Sequence, residues 1–190
     1  MSTERKKQTE SLVLGAILTA IVIVLQLLGG FIKFGPFSIS LVLIPIVIGA
    51  AKCGVKIGTW LGFVFGAVVL LSGGAAAFLA VNVFGTVLTV LLKGAACGFA
   101  AGLTYKLLEK YNKYAAVVAT AVVCPVVNTG VFLIGCLLFF LDTIKAWGAG
   151  YTNTISYIFL VLIGGNFLFE LATNMILSPA ILRILNFKEK

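Results

Sequence analysis

The chain of 190 residues is 61% hydrophobic and 11% charged, with a mean hydropathy of +1.17, whereas an ordinary soluble domain carries roughly 25% charged residues, so a water-soluble fold is excluded. Lysine and arginine outnumber acids 14 to 6, but they sit mainly between apolar runs, which makes them a topology signal rather than a nucleic-acid surface. Histidine is absent, and Cys53, Cys97, Cys124 and Cys136 show no C-x-x-C or Cys/His grouping, which argues against zinc, redox chemistry or any bound cofactor.

A membrane span needs roughly 20 apolar residues, fewer inside a bundle. The charged stretch Met1–Glu10 runs into the first apolar segment, Leu12–Leu28, without an A-x-A pattern, so a retained helix is expected rather than a removable signal. Gly29-Gly30 ends it. A shorter second segment, Ser38–Ala51, contains Pro45, and a third runs Val55–Leu71 to Ser72-Gly73-Gly74. Ala75–Ala80 reads either as a loop cap or as an early start to the fourth segment, Val81–Leu107. The fifth is Tyr114–Leu141 and the sixth Ile155–Leu185, giving an all-α integral membrane protein of six helices in a single domain over 1–190. Cys124 and Cys136 fall in one helix, about 18 Å apart at 1.5 Å per residue, so they cannot bridge each other. All four cysteines read as small packing residues.

With the N-terminus inside, the inner segments hold Arg5, Lys6, Lys7, Lys52, Lys56, Lys106, Lys110, Lys113, Arg183, Lys188 and Lys190, and the outer loops hold Lys33 and Lys145. The positive-inside rule then places both termini in the cytoplasm. Lys93 is left within the membrane.

Small residues let helix backbones approach in lipid, where burial itself gives little reason to associate. Gly58, Gly62 and Gly66 recur at four-residue steps in the third helix, as do Gly94, Gly98 and Gly102 in the fourth, and both rows read as packing faces within the bundle. Ala16 and Ala20 form a similar small-x-x-x-small pair in the first helix.

Polar residues inside spans are functional candidates by default. Asn82, Thr86, Thr89 and Lys93 line one face of the fourth helix, and Asn166, Glu170 and Asn174 one face of the sixth. Counted from the outer ends, Lys93 lies about 16–18 Å deep and Glu170 about 20 Å deep. The two charges therefore reach similar levels. They read either as a structural ion pair or as ligand contacts, with snorkelling of Lys93 a third reading. Asn128 and Thr129 follow Pro125 in the fifth helix, where a proline frees a backbone carbonyl; they serve a ligand or bond between helices. The outer loops Phe31–Phe37 and Asp142–Thr154 carry aromatics, including Trp147, with Tyr157 just beyond; these form an interfacial belt or a lid over a ligand.

Taken together, these features resemble the substrate-binding S component of an energy-coupling factor (ECF) transporter over nearly the whole chain. The resemblance rests on Ala16-Ile17-Leu18-Thr19-Ala20 in the first helix, Phe34-Gly35-Pro36-Phe37 before a short second helix, and Lys93-Gly94 leading to Gly98 and Ala101-Gly102. It implies a subunit of the bacterial plasma membrane that captures a vitamin at the outer face. It also implies that Ala16 and Ala20 dock on a transmembrane coupling subunit attached to two cytoplasmic ATPases. ATP is then hydrolysed elsewhere, in keeping with the absence of a G-x-x-x-x-G-K-[ST] loop. Phe37–Leu41, Ile44-Pro45-Ile46 and the Asn166, Glu170, Asn174 stripe resemble most the pantothenate-type and riboflavin-type branch, pantothenate being favoured. The expected ligand residues are Asn82, Thr86, Lys93, Asn128, Trp147, Tyr157, Asn166 and Glu170. An autonomous carrier is the rival reading, disfavoured by the lack of an internal repeat. An enzyme is not expected, since Glu170 is the one acid placed within the membrane and no nucleophile has an evident base.

Overall fold

The computed structural model describes residues 3–29, 33–34, 37–38, 41–150, 153, 157 and 164–186. Within them the chain is helical apart from one antiparallel pair of two-residue strands, β1 (Lys33–Phe34) and β2 (Phe37–Ser38). The long helices are α1 (Thr3–Gly29), α5 (Val83–Leu108), α6 (Lys113–Phe139) and α8 (Gly164–Asn186); α2 (Leu43–Cys53) and α3 (Val55–Leu71) are shorter, and α4 (Ala76–Leu79) and α7 (Leu141–Trp147) are single turns or little more. Among the described residues four helices, over Glu4–Gly29, Val83–Leu108, Lys113–Phe139 and Phe167–Leu185, are long and apolar enough to cross a membrane.

Each boundary has a local cause. Helix α1 begins nine residues before the expected Leu12 because Thr3–Ser11 is dominated by Glu, Arg, Lys and Gln, which lose little side-chain freedom in a helix. The second helix starts at Leu43 rather than Ser38, which lies in β2. Pro45 falls in its first turn, where its missing N–H has no helical partner to lose. Gly54, at φ 84° and ψ −178°, makes the sharp link from α2 into α3. The ambiguous Ala75–Ala80 stretch resolves as the separate helix α4, set off from α3 by Gly73 at φ 76°. Helix α5 starts at Val83, not Val81, since the Asn82 side chain accepts a 2.9 Å hydrogen bond from the Gly85 N–H and caps the helix there. Asn112 caps α6 in the same way through the Ala115 N–H. The fifth helix stops at Phe139 rather than Leu141. Phe140, at φ −133°, leaves the helical region, and the outer loop expected after it contains α7. The expected sixth helix begins within residues that, Tyr157 apart, lie outside the described ones up to Gly164.

Helix α2 is the hub, touching α1, α3, α5, α6 and α8. Leu43, Ile46 and Val47 on it are fully buried. The tightest seam joins α3 and α5, which run antiparallel. A Cβ added at Gly62 would overlap the Gly94 carbonyl, and one at Gly98 the Gly58 carbonyl. At the two ends of the seam a Cβ on Gly66 would lie 2.6 Å from the Val90 oxygen, and one on Gly102 2.6 Å from Val55 Cα. The two glycine rows thus face each other and let the backbones touch, where van der Waals packing is the main source of association in lipid.

The opposite ends of the bundle differ in character. The C-terminal ends of α2, α5 and α8 gather at one end with the N-terminal ends of α3 and α6, bringing Lys52, Lys56, Lys106, Lys113 and Arg183 there. At this end the Lys52 ammonium donates to the Leu185 carbonyl in the last turn of α8. Near the middle of α8, Pro179 deprives the Met175 carbonyl of its helical donor, and the Ser178 hydroxyl supplies one at 2.7 Å. The other end is dominated by aromatic rings.

Candidate substrate site

The inward face of α6 repeats at four-residue steps through Thr120, Cys124, Asn128, Phe132 and Cys136 to Phe140 just past its end, all buried except the half-buried Phe132. Against it α5 sets Thr86, Thr89, Lys93 and Cys97, and α8 sets Glu170, Asn174 and Ser178. Lys93 lies at the centre. Its Nζ stands 5.7 Å from the ring centroid of Phe65 on α3 and 5.1 Å from that of Phe132 on α6, so the ammonium lies over two aromatic π-systems. The Glu170 carboxylate, buried on α8, is near enough for its charge to act on Lys93.

Among the described residues, Thr89 Oγ1, Asn128 Oδ1 and Asn174 Oδ1 are buried without a hydrogen-bond partner. Each belongs to a residue one helical turn from a group that acts on Lys93 or from Lys93 itself. Thr89 precedes Lys93 by four positions, Asn128 precedes Phe132 by four, and Asn174 follows Glu170 by four. Unpaired acceptors of this kind, buried in a low-dielectric bundle, are energetically costly unless a ligand or water supplies donors.

Above Lys93, toward the aromatic end, Phe78 of α4 meets three rings edge to face. They are Phe132 at 5.6 Å, Phe140 at 5.1 Å and Trp147 at 5.4 Å between centroids. Tyr157 joins this group: a Cβ on Gly148, next to Trp147, would touch Tyr157 at 3.0 Å. An aromatic cap carried by α4 and α7 therefore sits over a polar chamber in the sense of a cluster of buried polar side chains contributed by α5, α6 and α8.

Of the residues expected from sequence, Lys93 and Glu170 act on each other in the bundle interior, Asn128 is buried one turn before Phe132 on the inward stripe of α6, and Trp147 and Tyr157 lie in the cap. Asn82 and Thr86 take local tasks. The Asn82 side chain caps α5, and the Thr86 hydroxyl donates to the Asn82 carbonyl at 2.7 Å within its own helix. The Asn166 side chain lies outside the described residues, as does most of the Phe31–Phe37 loop. Phe65, Phe78, Phe132 and Phe140 are not among the expected residues, although the four-residue stripe on α6 marks Phe132 and Phe140 in the sequence. Ala16 and Ala20 are exposed on α1, on the side away from the buried Leu18 and Val22. Next to them, Trp60 Nε1 of α3 donates to Thr19 Oγ1 at 3.3 Å. The cysteines are free; Cys97, Cys124 and Cys136 are buried, and the Cys97 thiol donates to the Gly94 carbonyl at 3.1 Å.

Neither a characterised protein nor a solved structure matches the chain. A family model does: that of the ECF transporter substrate-specific component, over residues 10–184. Apolar helices of spanning length, a polar chamber within them and a family match over nearly the whole sequence agree: the chain belongs to the substrate-specific component family of ECF transporters, multi-pass membrane subunits that bind the substrate of an ECF importer.

Proposed function

We propose that this subunit captures a vitamin, with pantothenate the best candidate, at the outer face of the bacterial plasma membrane. It delivers the vitamin through a transmembrane coupling subunit and two cytoplasmic ATPases. In this reading the chain crosses the membrane six times, with α2 and α3 as the short spans and both termini in the cytoplasm. The lysine-rich end of the bundle supports that orientation through the positive-inside rule, and it leaves the aromatic cap facing outward.

The observation that carries the ligand class is a buried Lys93 in the same polar cluster as side-chain atoms that lack hydrogen-bond partners. An ammonium calls for an anion, Asn128 Oδ1 and Asn174 Oδ1 call for hydroxyl or amide hydrogens, and the Thr89 hydroxyl can donate or accept. Pantothenate offers a carboxylate, hydroxyls and an amide N–H on one flexible chain. The charge of Glu170 acting on Lys93 favours a second reading. If the pair neutralises itself, a neutral ring-bearing vitamin such as riboflavin suits the aromatic cap better. On the exposed side of α1, Ala16 and Ala20 offer the coupling subunit a surface low enough for close backbone approach.

Native mass spectrometry of the subunit, purified in mild detergent from its producing cells, tests the reading by the exact mass of any retained small molecule. A retained pantothenate mass is expected. Retention of a riboflavin mass selects the second reading. An empty subunit that also fails to assemble with a coupling subunit and ATPases overturns the assignment of role.

A further inference from the structure

We propose that Phe132 is a positioning residue that ties the charge of Lys93 to the aromatic cap, so that drawing the ammonium away from its ring repositions Trp147. The functional purpose of this link rests on reading the chamber as the ligand site.

Among the described residues, Phe132 is the ring that contacts both parts. Lys93 Nζ lies 5.1 Å from its centroid, and Phe78 meets it at 5.6 Å with an interplanar angle of 83°. From Phe78 the chain of rings continues to Phe140 at 5.1 Å and Trp147 at 5.4 Å. A ring carries negative potential on its face and positive potential at its edge. An ammonium over the face of Phe132 therefore holds that ring in one orientation, and the near-perpendicular Phe78 depends on that orientation for its own contact.

The cap is poised to respond. Helix α4 is one turn long and has no buried residue, so its half-buried Phe78 and Leu79 are its main attachments to the bundle. Helix α7 is held beneath by the fully buried Ile144 and by Phe140, while Trp147 at its end is exposed. Small shifts of Phe78 thus reach the surface through elements that little else restrains. A ligand anion that takes the Lys93 ammonium frees Phe132, and the cap resettles over the occupied chamber. Spatial intermediacy alone does not establish coupling, so a double-mutant cycle is the proper test.

The chain has two tryptophans, Trp60 and Trp147, and Trp60 lies on α3 against Thr19 and Phe63, away from the cap. Labelling the full-length protein with 5-fluorotryptophan gives one 19F resonance in the cap and one internal control. Lys93→Met removes the ammonium without added ligand. It is expected to move the Trp147 resonance and leave that of Trp60 in place. In a Phe132→Leu background the same Lys93→Met change should leave Trp147 where it was, whereas in a Phe132→Tyr background, which keeps the ring, the shift should return. If Phe132→Leu by itself displaces the Trp60 resonance, the bundle has been disturbed, and the volume-conserving Phe132→Met variant carries the same cycle. A Trp147 shift that survives loss of the ring, or no shift with the ring present, overturns the proposal. Because no vitamin is added, either result leaves the capture of a vitamin to be decided by its own measurement.

Discussion

Helix α5 presents two faces that solve opposite problems. Toward α3 it offers Gly94, Gly98 and Gly102, and the backbones meet with no room for a methyl group. Toward α6 and α8 it offers Thr89 and Lys93, where charge and unpaired acceptors remain. The first face gives up side chains for close contact and can hold one geometry only. The second keeps polar groups that the bundle alone does not satisfy. A rigid wall beside a polar chamber is what a binding site requires, because ligand affinity falls when the walls must be ordered at the moment of binding.

The largest effect is expected on the glycine wall. Gly62→Ala puts a Cβ into the Gly94 carbonyl, so one of the two helices must move along its length. The expected loss is on the order of 3 kcal/mol, the upper end for overpacking. It is read as a lowered midpoint of thermal or denaturant unfolding in detergent. An unchanged midpoint would mean that α3 and α5 do not meet backbone to backbone.

Next comes the chamber charge. Lys93→Met should weaken binding of a carboxylate vitamin by more than tenfold, since a charge-assisted hydrogen bond contributes about 1.5–3 kcal/mol. Fold stability should change far less than in Gly62→Ala. Titration calorimetry with pantothenate and with riboflavin sharpens the contrast: a loss confined to pantothenate assigns Lys93 to the anion, and equal affinities before and after remove it from the site.

The unpaired acceptors are expected to act in opposite directions on fold and function. Asn128→Leu removes a buried acceptor that has no partner, so unfolding should become harder by about 1 kcal/mol while vitamin affinity falls. If both fall together, Asn128 is interhelical glue rather than part of the site.

Much of this contrast is legible in the sequence because it rests on period. Gly58, Gly62 and Gly66 and their counterparts recur every four residues, and that spacing alone assigns them to one face of a helix. Lys93 and Glu170 stand out because charge is rare in a span. The aromatic partners of Lys93 are harder to see. Phe65 and Phe132 come from two other helices, and an apolar ring in an apolar helix carries no signal of its own. Trp147 and Tyr157 of the cap stand out in the sequence, but the short helix that carries Trp147 escapes it for a different reason. Leu141–Trp147 is too short for a helical period to show, and the break at Phe140 depends on one backbone angle. Asn82 illustrates the reverse case, a polar residue on the right stripe whose side-chain oxygen caps the helix.

The smallest expected effect is a control on the glycine wall. Gly130 lies on α6 two positions from both Asn128 and Phe132, hence on the opposite face of that helix from the inward stripe, and a Cβ built on it meets nothing within 4 Å. Glycine inside a helix carries excess backbone entropy into the unfolded chain, and alanine removes roughly 0.5–1 kcal/mol of that handicap. Gly130→Ala should therefore leave stability unchanged or raise it slightly, although it is the same chemical change that disrupts the bundle at Gly62. The sign, rather than the size, decides the matter. A gain at Gly130 beside a loss at Gly62 means that the loss comes from the backbone contact between α3 and α5 and not from placing alanine in a helix of this bundle. A loss at both positions would mean that alanine costs stability even where its Cβ is unopposed, and the Gly62 result would then carry no information about the α3–α5 seam.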